Sequence, residues 1–322
     1  MAKIVTITNP LTGQPAQVDQ LDHTAQQIDD GLNIARGVSN PNLLDNWYFG
    51  NPVNQRGQTS YSGQGSYSID RWILQYETNL EIVGDAIRLS GKWDMKQILE
   101  RTLPNGTYTA SVLYKNAEVV NDFWIYLDSS NGVAIFGSST KETAGLLSCT
   151  FTVSGNDINR VRVAFQDDSG NSKVDILAIK LELGSQQTLA HQENGVWVLN
   201  EIPDYGEQLR RCQRYFVNFN PYKVGWFAMP PAVASNASQA YSAVTLPVAM
   251  RAQPVVAYGG NIVLSQDADH AVASILVSDN TFTGNSIQLR YDVSAGTLTA
   301  NSLYRVQGNN DQTAYIWLSA DL

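Results

Sequence analysis

The spacing of apolar and polar positions changes twice along the chain. Ile4-Val5-Thr6-Ile7-Thr8 reads as a short extended arm, ended by the breakers Asn9-Pro10 and Gly13. Val18, Leu21, Ala25, Ile28, Leu32 and Ala35 then step by 3, 4, 3, 4 and 3, an a/d seam with Asp19, Asp22, Gln26, Asp29 and Asp30 off it. Gly37 and Pro41 stop this predicted helix. A helix of that length is marginal alone in water, so the stripe needs a partner. The partner is either its own domain or further copies of the chain in a parallel, trimeric coiled coil. The narrow seam and the polar opposite face favour the coiled coil, while Gly31 disfavours both.

From residue 42 the period falls to two. Tyr108, Ala110, Val112 and Tyr114 alternate with Thr107, Thr109 and Ser111, and Phe123, Ile125 and Leu127 with Trp124 and Tyr126. Cys149, Phe151 and Val153 alternate with Thr150 and Thr152, and Val161, Val163 and Phe165 with Arg160 and Arg162. Leu177, Ile179, Leu181 and Leu183 alternate with Ala178, Lys180 and Glu182. Each run has one apolar face and one face open to water or a second layer, the pattern of an antiparallel sandwich.

A linker over 185–203 is punctuated by Gly195 and Pro203, after which Asp204 caps a short helix with Glu207 as its capping-box partner. A second β region follows, with Ala273/Ile275/Val277, Ile287/Leu289/Tyr291 and Ala314/Ile316/Leu318 as inward positions. The predicted fold is mainly β: an N-terminal short helix followed by two antiparallel, jelly-roll-like β-sandwiches. Its boundaries fall at 1–40 (arm and helix), 41–186 (first sandwich), 187–212 (linker and helix) and 213–322 (second sandwich).

Composition narrows the function classes. The 322 residues suffice for two ordinary domains and a small extra element. Charged residues are 16%, against about 25% usually, and Asn, Gln, Ser and Thr fill the gap. Such a surface suits hydroxyl-rich ligands. The net charge of −9, with no Lys/Arg cluster, gives no footprint for nucleic acid or an anionic membrane. No signal peptide is expected, since Met1 to Pro10 has no positive n-region followed by a long apolar h-region, and no membrane span, since no apolar run of 18 residues occurs. Cys149 and Cys212 lie in different predicted domains and read as free thiols, which fits synthesis in a reducing cytoplasm.

Candidate chemistry is sparse. There is no G-x-S-x-G elbow, H-E-x-x-H or C-x-x-C, and His23, His191 and His270 are scattered, so no catalytic residue and no zinc site is predicted. Asp167-Asp168-Ser169-Gly170-Asn171 reads as a turn. Its second reading is a structural Ca²⁺ held by Asp167, Asp168 and Asn171, with no other cofactor expected. Aromatics are the better lead, because sugar rings present apolar C–H faces that stack on Trp and Tyr. Trp93, Trp124, Tyr126, Tyr222 and Trp226 lie among polar neighbours and are the candidate ligand-binding residues. Trp47, Trp72 and Trp317 are expected in cores.

One stretch points to a family. Asn42-Leu43-Leu44-Asp45-Asn46-Trp47-Tyr48-Phe49-Gly50-Asn51-Pro52-Val53-Asn54-Gln55-Arg56-Gly57, followed by Ser68-Ile69-Asp70-Arg71-Trp72, resembles runs in tail-fibre and receptor-binding proteins of bacteriophages and prophages. So do Cys212-Gln213-Arg214-Tyr215-Phe216, Leu246-Pro247-Val248-Ala249-Met250-Arg251-Ala252-Gln253-Pro254 and the closing Tyr315-Ile316-Trp317-Leu318-Ser319-Ala320-Asp321-Leu322. The segment 103–114, with Leu181-Glu182-Leu183-Gly184 ending the last strand, is similar to the jelly roll of carbohydrate-binding modules.

The resemblance implies a non-enzymatic virion protein, a tail or capsid appendage made in the bacterial cytoplasm. Its partners would be itself as a homotrimer, other virion proteins through the N-terminal arm, and a host surface glycan or receptor gripped multivalently. A structural head or baseplate fibre, a polysaccharide-degrading tailspike and a host-encoded secreted adhesin stay open as alternatives.

Overall fold

Alternating sequence becomes strand wherever β-branched and aromatic residues recur every second position. The computed structural model describes residues 7–8, 15–16, 40–155, 157–165, 167–294 and 297–322. The chain divides into Met1–Asn40 and Pro41–Leu322. In the first unit β1 (Ile7–Thr8) pairs antiparallel with β2 (Pro15–Ala16). The predicted seam residues Val18, Leu21, Ala25, Ile28, Leu32 and Ala35 lie outside the described residues.

The second unit opens with a sandwich. Its strands are β3 (Ser60–Ser62), β4 (Trp72–Leu74), β5 (Thr78–Val83), β6 (Ala86–Gly91), β7 (Asp94–Ile98) and β8 (Gly106–Glu118). β9 (Phe123–Ser129), β10 (Ala134–Thr140), β11 (Gly145–Val153), β12 (Ile158–Phe165) and β13 (Ser172–Leu183) complete it. One sheet runs β11-β8-β13-β6-β5-β3 and the other β10-β9-β12-β7-β4. Phe123, Ile125 and Leu127 on β9 and Val161, Val163 and Phe165 on β12 are wholly buried between the sheets, as their spacing predicts. The run at 42–57 is mostly irregular, but its Leu44, Trp47 and Phe49 plug this core, with Phe49 edge-on to Trp72 at 5.7 Å.

Strand β13 departs from the simple alternation. Its register against β8 shifts between Ile176 and Ala178, a bulge that moves side chains to the other face. Leu183, predicted inward, is 59% exposed, while Lys180 and Glu182, predicted outward, are fully buried. The linker supplies the cover: Thr188 N–H donates to Glu182 Oε1 at 2.7 Å, and Lys180 Nζ donates to Thr188 Oγ1 at 2.9 Å. The linker also holds the hairpin β14 (Ala190–Glu193) and β15 (Val196–Leu199).

Helix α1 (Tyr205–Gln213) starts where predicted, with Asp204 Oδ1 accepting from Glu207 N–H at 2.8 Å. Cys212 is buried, and Arg211 reaches back to Asp45 of the sandwich at 2.7 Å.

The region after α1 corrects the expectation of a second sandwich. Its strands are β16 (Phe216–Asn218), β17 (Ala228–Asn236), β18 (Gln239–Thr245), β19 (Val255–Gly259) and β20 (Ile262–Ser265). They continue with β21 (Asp269–Val277), β22 (Ser286–Val293), β23 (Leu303–Gly308) and β24 (Tyr315–Ser319). Six of them close on themselves as a barrel, β17-β18-β22-β21-β20-β23, and β16-β24-β19 form a separate three-stranded sheet. Pro230 and Pro231 lie in β17 at a register shift against β23 between Met229 and Ala232. Proline gives no ladder donor, and a bulge bends and twists the strand, which suits closure. Trp317, expected in the core, sits instead on the side of β24 opposite Ile316 and Leu318, half-buried against Tyr315 at 4.2 Å and Phe216 at 5.5 Å.

Candidate functional site

The outer face of the five-stranded sheet gathers the polar halves of four alternating runs. On β9 the core takes Phe123, Ile125 and Leu127, so Trp124, Tyr126 and Asp128 point the other way. Register then lines them up in rows. Asp94, Ala164, Trp124 and Ser139 are cross-strand neighbours in one row. Ile73, Lys96, Arg162, Tyr126 and Phe136 make the next. Ile98, Arg160, Asp128 and Ala134 make the third.

Arg162 stands at the centre of this platform. Its Nη1 donates to Asp94 Oδ2 at 2.8 Å and its Nε lies 2.9 Å from Asp128 Oδ2. Its guanidinium is 5.9 Å from the Tyr126 ring centre, and Tyr126 meets Phe136 at 5.8 Å and 32°. Phe136 is 67% exposed.

The charged members are largely withdrawn from water. Burial pushes the carboxyls of Asp94 and Asp128 up and the Lys96 ammonium down, with Arg162 opposing the shift on both carboxyls and reinforcing it on Lys96. Burial likewise raises the Tyr126 phenol to about 12. Trp124 Nε1 and Asp94 Oδ1 are among the buried polar atoms of this face that have no hydrogen-bond partner among the described residues. The arrangement offers the ring faces of Tyr126 and the 67% exposed Phe136 beside arginines held in place by carboxylates.

The remaining candidates are elsewhere. Trp93 lines a cleft of about 630 Å³ at the rim of the sandwich, paired with Tyr76 at 5.3 Å. Both rings are nearly half exposed, Tyr76 holds a left-handed φ of 49°, and Lys92 pairs with Glu77 beside them at 2.7 Å. Tyr222 and Trp226 lie on the loop between β16 and β17, exposed by 88% and 55%. That loop is pinned by Asn220, whose Nδ2 donates to Ala314 O at 2.8 Å and whose Oδ1 accepts from Val224 N–H at 2.8 Å.

The structure thus joins Trp124 to Tyr126 and leaves Trp93 and the Tyr222/Trp226 pair on separate features. Phe136, Tyr76 and the ionic rows escaped sequence reasoning. Arg160 and Arg162, alternating with Val161 and Val163, were the available signal for the rows.

The calcium candidates lie in a turn. Asp167 Oδ1 accepts from Ser169 N–H at 2.8 Å, its Oδ2 accepts from Ser172 N–H at 2.7 Å, and Asn171 Nδ2 donates to Ser169 Oγ at 3.0 Å. Asp168 lines the rim cleft instead. Among the described residues no three His, Cys, Asp or Glu side chains group as a metal site.

No protein-family model and no curated protein matches this chain. Among solved structures it is similar to a variant of a family 29 carbohydrate-binding module, at 12% identity and a TM-score of 0.28, over 45% of this chain and 91% of that one. It is similar to a family 61 carbohydrate-binding module in complex with β-1,4-galactotriose, at 11% identity and a TM-score of 0.26, over 45% and 99%. An arabinose-bound α-L-arabinofuranosidase is similar at 12% identity and a TM-score of 0.32, over 44% of this chain and 26% of that one. Likenesses at these values leave function to be argued from the side chains.

Proposed function

We propose that this chain is a non-enzymatic glycan-binding protein whose platform of Trp124, Tyr126 and Phe136 holds a sugar chain. The observation that carries the reading is the row Lys96–Arg162–Tyr126–Phe136 beside Trp124, with Phe136 67% exposed. Stacking on the rings orients the sugar, and the arginines beside them meet its hydroxyls. Arg162 pairs with both platform carboxylates, Asp94 and Asp128.

A glycan array followed by calorimetry tests it. Binding to at least one oligosaccharide class, lost in Trp124→Ala, is the expected result. Binding that is indifferent to Trp124→Ala, or shortening of the bound polysaccharide, overturns the reading.

The likeness of 42–72 to phage tail-fibre sequences supports a finer reading, a homotrimeric virion appendage attached through its N-terminal arm. Weak single sites suffice there, because several engage one surface together. Light scattering at the mass of three chains is expected, and a monomer overturns the trimer.

A further inference from the structure

We propose a second binding site, for a small carboxylate with an apolar body, in the cleft between the 99–104 loop and α1. The cleft encloses about 550 Å³, within the range of small-molecule pockets. Arg71, Arg101, Arg211 and Arg214 line it against two carboxylates, Asp45 and Glu100. This local excess of positive charge stands out in a chain of net charge −9.

Both carboxylates are already engaged. Asp45 accepts Arg71 Nε at 3.1 Å and Arg211 Nε at 2.7 Å. Glu100 accepts Arg214 Nη2 at 3.2 Å and the Tyr215 hydroxyl at 3.0 Å. Arg101 is exposed and has no ion pair among the described residues. Arg71 is 2% exposed, yet its Nη1 has no hydrogen-bond partner among the described residues. That guanidinium is held in place by Ile98 O, which accepts from Nη2 at 2.6 Å, and by the Tyr215 ring at 3.5 Å. An arginine so fixed loses little freedom on taking a planar oxyanion, and its fork geometry matches a carboxylate.

The walls define the rest of the ligand. Leu43 and Leu183 present exposed aliphatic surface, 38% and 59%, at the cleft. Its two tyrosines, Tyr108 and Tyr215, are only 3% and 4% exposed and offer no open ring for a sugar to stack on. The cleft therefore selects an aliphatic acid over a sugar acid or an inorganic anion. The site is independent of the glycan platform.

Calorimetry on the full chain with octanoate, octanol, glucuronate and inorganic phosphate tests the proposal. Octanoate is expected to bind, the other three to bind at least tenfold more weakly, and Arg101→Gln to weaken octanoate at least fivefold. Arg101 makes no ion pair among the described residues, so the variant is expected to keep the parent's thermal midpoint; a second variant, Arg214→Gln, repeats the test on the α1 side. Octanoate binding unchanged in both variants, no octanoate binding, or preference for glucuronate, phosphate or octanol overturns the site as assigned.

Discussion

The guanidinium of Arg56 meets the carboxylate of Asp321 at 2.8 Å, joining the sandwich to the C-terminal sheet across 265 positions of chain. The same group pairs with Asp70 at 3.2 Å and lies 3.9 Å from the Phe216 ring centre. Gln55 Nε2 completes the joint by donating to Asp70 Oδ2 and to Phe216 O, both at 2.7 Å. Gln55 and Arg56 are thus the seam on which the sandwich and the C-terminal sheet are fastened.

Removing the cation from this joint strands two buried carboxylates. Arg56→Met is expected to cost about 3–5 kcal/mol at pH 8, the range for breaking one side of a buried ion pair. Urea unfolding measures it, and a loss under about 1 kcal/mol would show that solvent already reaches the pair.

Asp70 makes stability depend on pH. Burial is the largest influence on its carboxyl and raises it to about 7 from an ordinary 3.8, with Arg56 and Gln55 opposing and Asp321 reinforcing. Between those values the folded chain holds a proton that the unfolded chain has released. The contribution of this group to stability therefore falls as pH rises from about 4 to 7, by at most about 1.4 kcal/mol per pH unit. Stability measured for the parent minus that for Asp70→Asn should slope downward across this window. A flat or rising difference would place the carboxylate in its charged form throughout.

Platform and rim cleft make opposite predictions. If the platform holds the sugar, Trp124→Ala and Tyr126→Ala each weaken glycan binding at least tenfold, about 1.4 kcal/mol, and Trp93→Ala changes it less than twofold. The reverse pattern in calorimetry moves the sugar to Tyr76 and Trp93.

Gly91 is required by its surroundings. Its φ is 117°, and a Cβ there would stand 2.1 Å from the carbonyl oxygen of Glu77. Gly91→Ala is expected to lower stability by about 1–3 kcal/mol from backbone strain alone, with the clash adding to it. Because β6 leads into the rim cleft, the variant should also disturb the Tyr76–Trp93 pair, read as a change in tryptophan fluorescence. An unchanged thermal midpoint would contradict the backbone geometry.

Local pattern was legible wherever one rule governs one element. The inward positions of β9 and β12, the cap of α1 by Asp204 and the burial of Cys212 all follow from spacing and side-chain chemistry. Period-two alternation says that a strand has two faces, but not what covers the second. Trp124 and Tyr126 were therefore visible as candidates, while Phe136 and the ionic rows became visible only through cross-strand register. Lys180 and Glu182 looked solvent-facing because the linker that buries them is remote from the alternation being read.

By itself, the sequence determined that this is a mainly β chain and which positions of β9 and β12 turn inward. Tertiary structure alone decided that the last domain closes as a barrel, since closure depends on bulges and register around Pro230 and Pro231. It alone decided which tryptophans meet solvent, and it brought Arg56 to Asp321 and Arg71 to Tyr215. Such pairings are set by how sheets pack and bend over long chain separations, which hydrophobic periodicity within a single strand does not encode.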